Sequence, residues 1–397
     1  MRNFALPLLK YAFNKLASIY PCDVCMSAEI SKRIAEFLDL KIKDDVGQPH
    51  FTNSDYELSF PPANFVPIGE VEPSILTAFV DGGNQEILGA PNFSAQLNRV
   101  YFNVFKGRDR IVSKSLPSRI EFYSATMSDY RHDEIFYDTR VFPLKVEFEG
   151  LIPEDKHLSF SSVDRTVTFG TQRADISHVA SVARRFAEWE FAKHVIENEL
   201  NKGDLIVHDG SLQTSLTNEQ TYMARALEAA KGKGVVFAGI SKTSTLLTTT
   251  GLSLLGAVQK LAEDYGVKGP WCLPIAKVAN LQHNAFIYVV KLHENANYVF
   301  RYEIYGDQAR RMSDEDLCNV TSALVSNSKD ISFPGYPYGL VDADSFARVS
   351  SDEIDEYRVP LMSEISKLGK WKKISRHIYS GDAHHVLDAL RVDGEWL

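Results

Sequence analysis

The chain has 397 residues, of which 44% are hydrophobic and 24% charged, a composition typical of a globular protein. Its net charge of −9 argues against a protein that coats nucleic acid by charge alone, but allows an enzyme with an acidic metal site. No apolar run approaches the roughly 20 residues that a membrane-spanning helix needs. Lys10 interrupts the apolar N-terminus too early for a secretory signal. We therefore expect a cytoplasmic protein with no membrane segment.

The first part of the chain predicts an extension to a main domain. Residues 1–45 have apolar side chains at helical spacing, as at Ile30, Ile34 and Leu38. Residues 46–74 are rich in Pro, Asn and Ser, which indicates an irregular connection. We place a helical and irregular N-terminal extension at residues 1–70 and the main domain at residues 71–397.

The main domain begins with predicted strands and continues with alternating helices and strands. The predicted strands of the first part are 75–81, 99–106, 119–124 and 141–147. Asp175 or Ser177 can cap a long helix over 175–202, which has a continuous apolar face. The elements predicted after it are a strand at 204–209, a helix at 218–230, a strand at 234–239, a helix at 252–265, a hairpin of 285–292 with 298–305, a helix at 314–326 and a helical C-terminus. This order predicts an α/β fold with an RNase H-like mixed sheet flanked by helices, in which the strands that end at Asp81 and Asp209 are neighbours.

Two apolar strands each end in Asp-Gly, at Asp81 and at Asp209. Side by side, these two carboxylates would lie within reach of one divalent cation, which prefers oxygen ligands. Gly82 and Gly83 would let another backbone or a phosphate approach closely. The alternative is that each Asp-Gly is an ordinary turn.

Three further residues are candidates for the same site. Glu188 on the long helix could supply a third carboxylate, or could face solvent and pair with Arg184. His384 could bind metal or move a proton, or could belong to a surface histidine pair. Lys242 follows a strand in a segment that lacks the G-K-[ST] of a phosphate loop, which excludes ATP binding there but leaves contact with a DNA phosphate open.

Basic residues cluster between Lys106 and Arg119, and again around Trp371 between Lys367 and Arg376. Both clusters suit phosphate contact, although a solvated surface is the simpler interpretation of each. The pair Cys22 and Cys25 has no second pair to complete a zinc site, so reduced thiols are expected.

Six short motifs occur in a fixed order and together resemble the NurA nuclease family. They are Val80–Gly83, Arg184–Glu188, Asp209–Leu212, Gly239–Thr243, Tyr336–Asp344 and Asp382–Asp388. The resemblance spans about residues 75 to 390 and is carried by the order of the motifs, since each is weak alone.

The resemblance implies an RNase H-like, manganese-dependent (or magnesium-dependent) DNA nuclease with two ions, which has 5′-to-3′ exonuclease activity and cuts single strands. It implies a homodimer that docks on a hexameric HerA-type ATPase and serves DNA end resection in repair or anti-phage defence. By motif, Asp81, Glu188, Asp209 and His384 would be metal ligands and Lys242 an accessory residue of the site. Tyr379 is the residue we assign to the family's site tyrosine.

Two other functions stay open at this point. One is a non-catalytic partner subunit of a HerA-type ATPase, and the other is a metal-dependent phosphatase of small molecules. The sequence also leaves open the polarity of cleavage, the preferred metal, whether activity requires the ATPase, and the choice between repair and defence.

Overall fold

The structure is a computed structural model that describes residues 23–60, 64–69, 74–113, 115–331, 333–381, 391–392 and 395–396, with side chains described between residues 27 and 378. Its helices are α1 (Asp23–Lys41), α2 (Ile176–Glu199), α3 (Glu219–Lys233), α4 (Leu254–Asp264), α5 (Gly306–Ala309), α6 (Asp314–Asn327), α7 (Tyr338–Ala347), α8 (Ser351–Lys367) and α9 (Trp371–Gly381). Two 3-10 helices lie at Val146–Leu151 and Asp155–His157.

The strands are β1 (Pro49–His50), β2 (Tyr56–Leu58), β3 (Val66–Pro67), β4 (Thr77–Ala90), β5 (Phe93–Lys106), β6 (Asp109–Ile111), β7 (Arg119–Arg131), β8 (Glu134–Pro143), β9 (Ser159–Ser161), β10 (Leu205–Asp209), β11 (Val236–Ser241), β12 (Leu247–Thr248), β13 (Trp271–Ala279), β14 (Asn284–Lys291), β15 (Phe300–Tyr305), β16 (Arg391–Val392) and β17 (Glu395–Trp396). Two of these strand pairs, β1 with β12 and β16 with β17, stand apart from the main sheet.

In the described part of the chain, thirteen strands form one mixed sheet in the order β2-β13-β14-β15-β11-β10-β4-β5-β7-β8-β9, with β3 beside β13 and β6 beside β5. At its centre, β4, β5 and β7 form an antiparallel meander, β10 runs parallel to β4, and β11 runs parallel to β10. The order β7-β5-β4-β10-β11, with three antiparallel strands followed by two parallel strands that helices connect, confirms the predicted RNase H-like sheet and α/β class.

Side chains of β4 alternate between two apolar layers, one on each face of the sheet. Ala78 and Val80 pack in the layer that contains the buried residues of α2 and α3. Phe79 packs in the opposite layer, with buried residues of α6 and α7. Asp81 continues this alternation and therefore lies on the α7 side of the sheet.

The longest described helix, α2, follows the sequence prediction closely. The Asp175 side chain is its N-cap and accepts hydrogen bonds from the backbone N–H groups of Ser177 at 2.7 Å and His178 at 3.4 Å. Its apolar stripe is buried against the central strands: Val179, Val182, Ala183, Phe186, Phe191, Val195 and Ile196. The predicted hairpin of β14 and β15 and the predicted helices α3, α4 and α6 are also present.

Several strand predictions were wrong in extent. The strand of Asp81 continues through Gly82 and Gly83 to Ala90, because β5 pairs with it along this whole length. The strand predicted at 141–147 is instead β8, which ends at Pro143 before a 3-10 helix. Strand β13 was not predicted, and the segment expected to be irregular contains β1, β2 and β3.

The N-terminal segment contributes to the main sheet. Strands β2 and β3, which precede the predicted domain boundary at residue 70, both pair with β13. The boundary itself stays a prediction. Helix α1 agrees with the helical pattern predicted for residues 1–45. Residues 1–22 of that range lie outside the described residues. No helix in the described ranges has both the length and the apolar character to cross a bilayer.

The packing of α7 on β4 gives the first testable prediction. In Gly339→Ala, the added Cβ would lie 2.7 Å from Cγ of Phe79, a fully buried ring. We expect a loss of about 1–3 kcal/mol in the free energy of unfolding, measured by urea denaturation, because a packed core resists added volume.

Gly256→Ala in α4 is the matched control, since its Cβ would find its nearest neighbour at 3.9 Å. That change is expected to be neutral or slightly stabilising, because alanine favours helix over glycine. Equal stability of the two variants would contradict the tight packing of α7.

Candidate metal centre

Asp81 and Asp209 lie side by side because their strands are paired in parallel register. Phe79 is opposite Val207 and Val80 is opposite His208, so the next residues of β4 and β10 are the two aspartates. Strand β10 ends there, whereas β4 continues. The sequence prediction that these two acids are neighbours is confirmed.

A third carboxylate comes from α7, which holds Asp344 over the same face. At the start of this helix, the Asn103 side-chain amide donates to the carbonyl of Gly339 at 2.8 Å. Just beyond its end, the buried guanidinium of Arg99 donates to the carbonyl of Arg348 at 2.7 Å. Both contacts tie α7 to β5, so the position of Asp344 is set by the sheet.

The carboxylates of Asp81, Asp209 and Asp344 converge, with one oxygen of each lying within 4.8 Å of the others. The Lys242 ammonium, which follows β11, lies among them. Its Nζ is 2.7 Å from Asp209 Oδ2, 2.7 Å from Asp344 Oδ1 and 3.8 Å from Asp81 Oδ2. The structure therefore brings together the predicted residues Asp81, Asp209 and Lys242. It adds Asp344, which was not a candidate from the sequence.

The electrostatics of this cluster favour a cation. Burial, together with the neighbouring carboxylates of Asp209 and Glu188, raises the pKa of Asp81 to about 8. Burial lowers the pKa of Lys242, but the nearby Asp209, Asp344 and Asp81 outweigh this and raise it, so the ammonium stays protonated. A charge-balanced site needs more positive charge than Lys242 supplies.

A tyrosine completes the described cluster. The Tyr336 hydroxyl donates to Asp209 Oδ1 at 3.3 Å. Burial and the charge of Asp209 raise the pKa of Tyr336. The phenol is therefore a hydrogen-bond donor to Asp209 and does not act as a phenolate.

Glu188 lies on α2, on the opposite face of the sheet from α7, and its side chain is next to Gly82. It is 2% exposed, accepts a hydrogen bond from Arg184, and has Arg185 Nη1 3.8 Å from its Oε2. Burial raises its pKa, whereas the two arginines lower it. The solvent-facing alternative for Glu188 is therefore wrong, although its pairing with Arg184 is correct, and its role as a metal ligand stays a prediction.

The two glycines after Asp81 make room for these neighbours. A Cβ on Gly82 would lie 2.9 Å from Glu188 Cγ, and a Cβ on Gly83 would lie 3.0 Å from the carbonyl carbon of Ala347. The sequence had suggested that these glycines allow another backbone or a phosphate to come close. At Gly83 the close neighbour is indeed backbone, that of Ala347, whereas at Gly82 it is the Glu188 side chain.

Two predicted residues cannot be placed in this geometry. His384 lies outside the described residues, and Tyr379 belongs to α9 but has no described side chain. Both stay predictions. Asp344 and Tyr336 were missed as site residues, although the Tyr336–Asp344 motif contains both. Their contact with Asp209 depends on where α7 docks, which the motif does not state.

The predicted basic clusters are partly neutralised. Arg110 is ion-paired with Asp342 of α7, and Arg119 lies 3.8 Å from Glu121. In the second cluster, Lys367 pairs with Glu364 at 2.6 Å. These contacts favour the simpler interpretation for those three side chains.

The donor set fits a hard divalent cation. Carboxylate oxygens are the ligands that Mg²⁺ and Mn²⁺ prefer, and three of them converge here without a soft thiolate or imidazole among the described members of the cluster. Asp81, Asp209 and Asp344 are the residues that would hold such an ion.

The sheet order and the three converging acids define the class: an RNase H-like α/β protein with a carboxylate centre where its two central parallel strands meet. The chain belongs to the NurA family, because the family model described as "NurA domain" matches residues 75–349.

Two solved structures match the chain at low identity. The crystal structure of the NurA nuclease from Sulfolobus solfataricus has 14% identity and a TM-score of 0.48, and the match covers 90% of this chain and 97% of that chain. The Argonaute of Aquifex aeolicus has 10% identity and a TM-score of 0.25, over 71% of this chain and 29% of that chain. No curated protein matches this sequence.

The pKa of Asp81 predicts how stability depends on pH without metal. Its folded value of about 8 lies above its ordinary value of 3.8, so its contribution is fully present below about pH 4 and is lost as pH rises through 8. In EDTA, the thermal midpoint of the wild type should therefore fall more between pH 5 and 8.5 than that of Asp81→Asn. Mn²⁺ should raise the wild-type midpoint more at pH 8 than at pH 6, because the ion displaces a proton. Parallel pH profiles of the two proteins would contradict the raised pKa.

Proposed function

We propose that the chain is a divalent-metal-dependent DNA nuclease that hydrolyses phosphodiester bonds. The observation that carries this proposal is the convergence of Asp81, Asp209 and Asp344 at the central strands of an RNase H-like sheet, in a chain of the NurA family. Hydrolysis of a phosphodiester needs an activated water and stabilisation of the leaving oxygen. Bound Mn²⁺ or Mg²⁺, which we propose as a pair of ions, supplies both.

The chain's own residues have distinct tasks in this proposal. Asp81, Asp209 and Asp344 hold the ions, with Glu188 and His384 as further proposed ligands. Tyr336 orients Asp209 through its hydroxyl, at 3.3 Å. Tyr379 remains a second proposed tyrosine of the site.

Lys242 supplies a fixed positive charge at the edge of the cluster. Its side chain is 38% exposed, so the ammonium can reach a phosphate of bound DNA as well as the carboxylates. An exposed ammonium beside acidic ligands suits a substrate that carries negative charge at the bond to be broken.

Substitution of single acids tests this assignment. In Asp81→Asn, Asp209→Asn and Asp344→Asn, we expect Mn²⁺-dependent cleavage of labelled single- and double-stranded DNA to fall by about 100-fold or more, since loss of an outer-shell partner alone costs 10–100-fold. EDTA should abolish wild-type cleavage.

Asp138→Asn is the matched control, because Asp138 is ion-paired with Arg131 at 2.7 Å, on β8, away from the site. Its activity should equal that of the wild type. Unchanged cleavage in Asp81→Asn would contradict the site. No metal-dependent cleavage by the wild type, even with a cognate ATPase, would favour a non-catalytic partner subunit, and cleavage of small phosphate esters alone would favour a phosphatase.

The finer parts of the proposal follow from the family. We propose a homodimer that works with a hexameric HerA-type ATPase in DNA end processing or anti-phage defence, with 5′-to-3′ exonuclease and single-strand endonuclease activity. When the chain is mixed with the HerA-type ATPase of its own source, size-exclusion chromatography with light scattering should show co-elution of the two proteins. Shortening of 3′-labelled duplexes should proceed from the 5′ end, and protection by 5′ phosphorothioates would follow. Degradation from the 3′ end would contradict the polarity.

A further inference from the structure

The loop that follows Asp209 is held by two buried glutamates. This Asp209 loop, residues 210–218, connects β10 to α3 without regular structure. Glu303 Oε2 accepts a hydrogen bond from the backbone N–H of Leu212 at 2.8 Å. Glu219 Oε2 accepts from the backbone N–H groups of Ser215 at 2.8 Å and Leu216 at 3.2 Å. Both glutamates have no exposed surface, so neither can touch substrate.

Glu303, on β15, is kept ionised by its neighbours. Arg301 Nη2 lies 2.5 Å from its Oε1 and His283 Nε2 lies 3.0 Å from its Oε2. Burial alone would raise its pKa, but Arg301 and then His283 outweigh burial and hold the pKa of Glu303 at about 2. The carboxylate is therefore an acceptor for Leu212 at every pH at which the protein would be studied.

A tyrosine from the N-terminal segment supports the same contact. The Tyr56 hydroxyl lies 3.0 Å from His283 Nδ1. Since an ionised carboxylate can only accept, Nε2 of His283 is the donor toward Glu303. Tyr56 precedes the residues that match the NurA family.

A buried ion pair is by itself weak evidence for stabilisation, because replacing it by apolar side chains of similar size is often neutral or stabilising. The backbone N–H that Glu303 holds is three residues from Asp209, at the start of the loop. A metal site requires ligand distances within about 0.2 Å, so small shifts of this loop would alter the site.

We propose that Glu303 is a positioning residue of the metal centre: by holding the Leu212 N–H, it fixes the start of the Asp209 loop and hence the place of the Asp209 carboxylate. Glu303 contacts neither metal nor substrate and acts only through the backbone. The inference rests on the proposed function only in that Asp209 binds a divalent cation.

Two double variants separate the acceptor from the charge. Arg301→Leu with Glu303→Leu removes both charges together and leaves Leu212 without its acceptor. Arg301→Leu with Glu303→Gln removes the same charges but keeps an acceptor oxygen for Leu212. We expect Mn²⁺ affinity, measured by isothermal titration calorimetry, to fall about 10–100-fold in the first variant and to return to within about threefold of the wild type in the second.

Glu190→Gln is the control for loss of a buried, paired glutamate elsewhere. Glu190 lies on α2, 3.0 Å from Lys193 and 3.5 Å from Arg225, and makes no described contact with the Asp209 loop. Its substitution should leave Mn²⁺ affinity unchanged. Thermal midpoints in EDTA, measured for every variant, show whether each protein is folded at the temperature of the titration.

The outcomes distinguish this inference from the proposed function. Three results would each overturn the positioning role. The leucine variant could bind Mn²⁺ as tightly as the wild type, the leucine and glutamine variants could lose Mn²⁺ affinity equally, or Glu190→Gln could lose as much Mn²⁺ affinity as the leucine variant. A wild-type chain that binds Mn²⁺ but cuts no DNA would refute the nuclease and leave the positioning result valid. A wild-type chain that binds no Mn²⁺ would overturn both.

Discussion

Repulsion between adjacent carboxylates is the constraint around which the centre of this protein is built. Parallel pairing of β4 with β10 places Asp81 beside Asp209 in a largely buried position. Two acids so placed cannot both ionise without a compensating positive charge. The approach of Asp344 increases the demand, and the contacts of Lys242 with all three acids offset part of it. The same imbalance favours the binding of a cation at the cluster.

The surroundings of the cluster hold it from both faces of the sheet. On the α2 side, Arg185 lies 2.7 Å from the buried Glu219 and 3.8 Å from Glu188, which connects the Asp209 loop to the acid behind Gly82. On the other side, α7 is fixed to β5 by polar contacts at both of its ends. Buried polar groups of this kind are stable only when their partners are present, so the network specifies one arrangement of the acids.

Part of the N-terminal segment contributes to this arrangement. Two of its strands, β2 and β3, complete one edge of the sheet, and Tyr56 reaches the histidine that contacts Glu303. The family match begins at residue 75, after this segment. A part of the chain that lies outside the family match therefore contacts the network that supports the candidate site.

The sequence by itself determined the features that depend on near neighbours in the chain. The cap at Asp175 and the apolar stripe of α2 follow from local spacing, and the order of strands and helices implied that Asp81 and Asp209 would meet. Local pattern failed where pairing between distant segments determines the structure. The stretch after Gly83 has the local signals of a turn, but β4 continues through it because β5 pairs with it. Only the tertiary structure brought Asp344 and Tyr336 to Asp209, because their positions depend on the docking of α7 across the sheet. Only burial distinguished Glu188 and Glu303 from surface acids, because burial is a property of the packed chain and not of the residue.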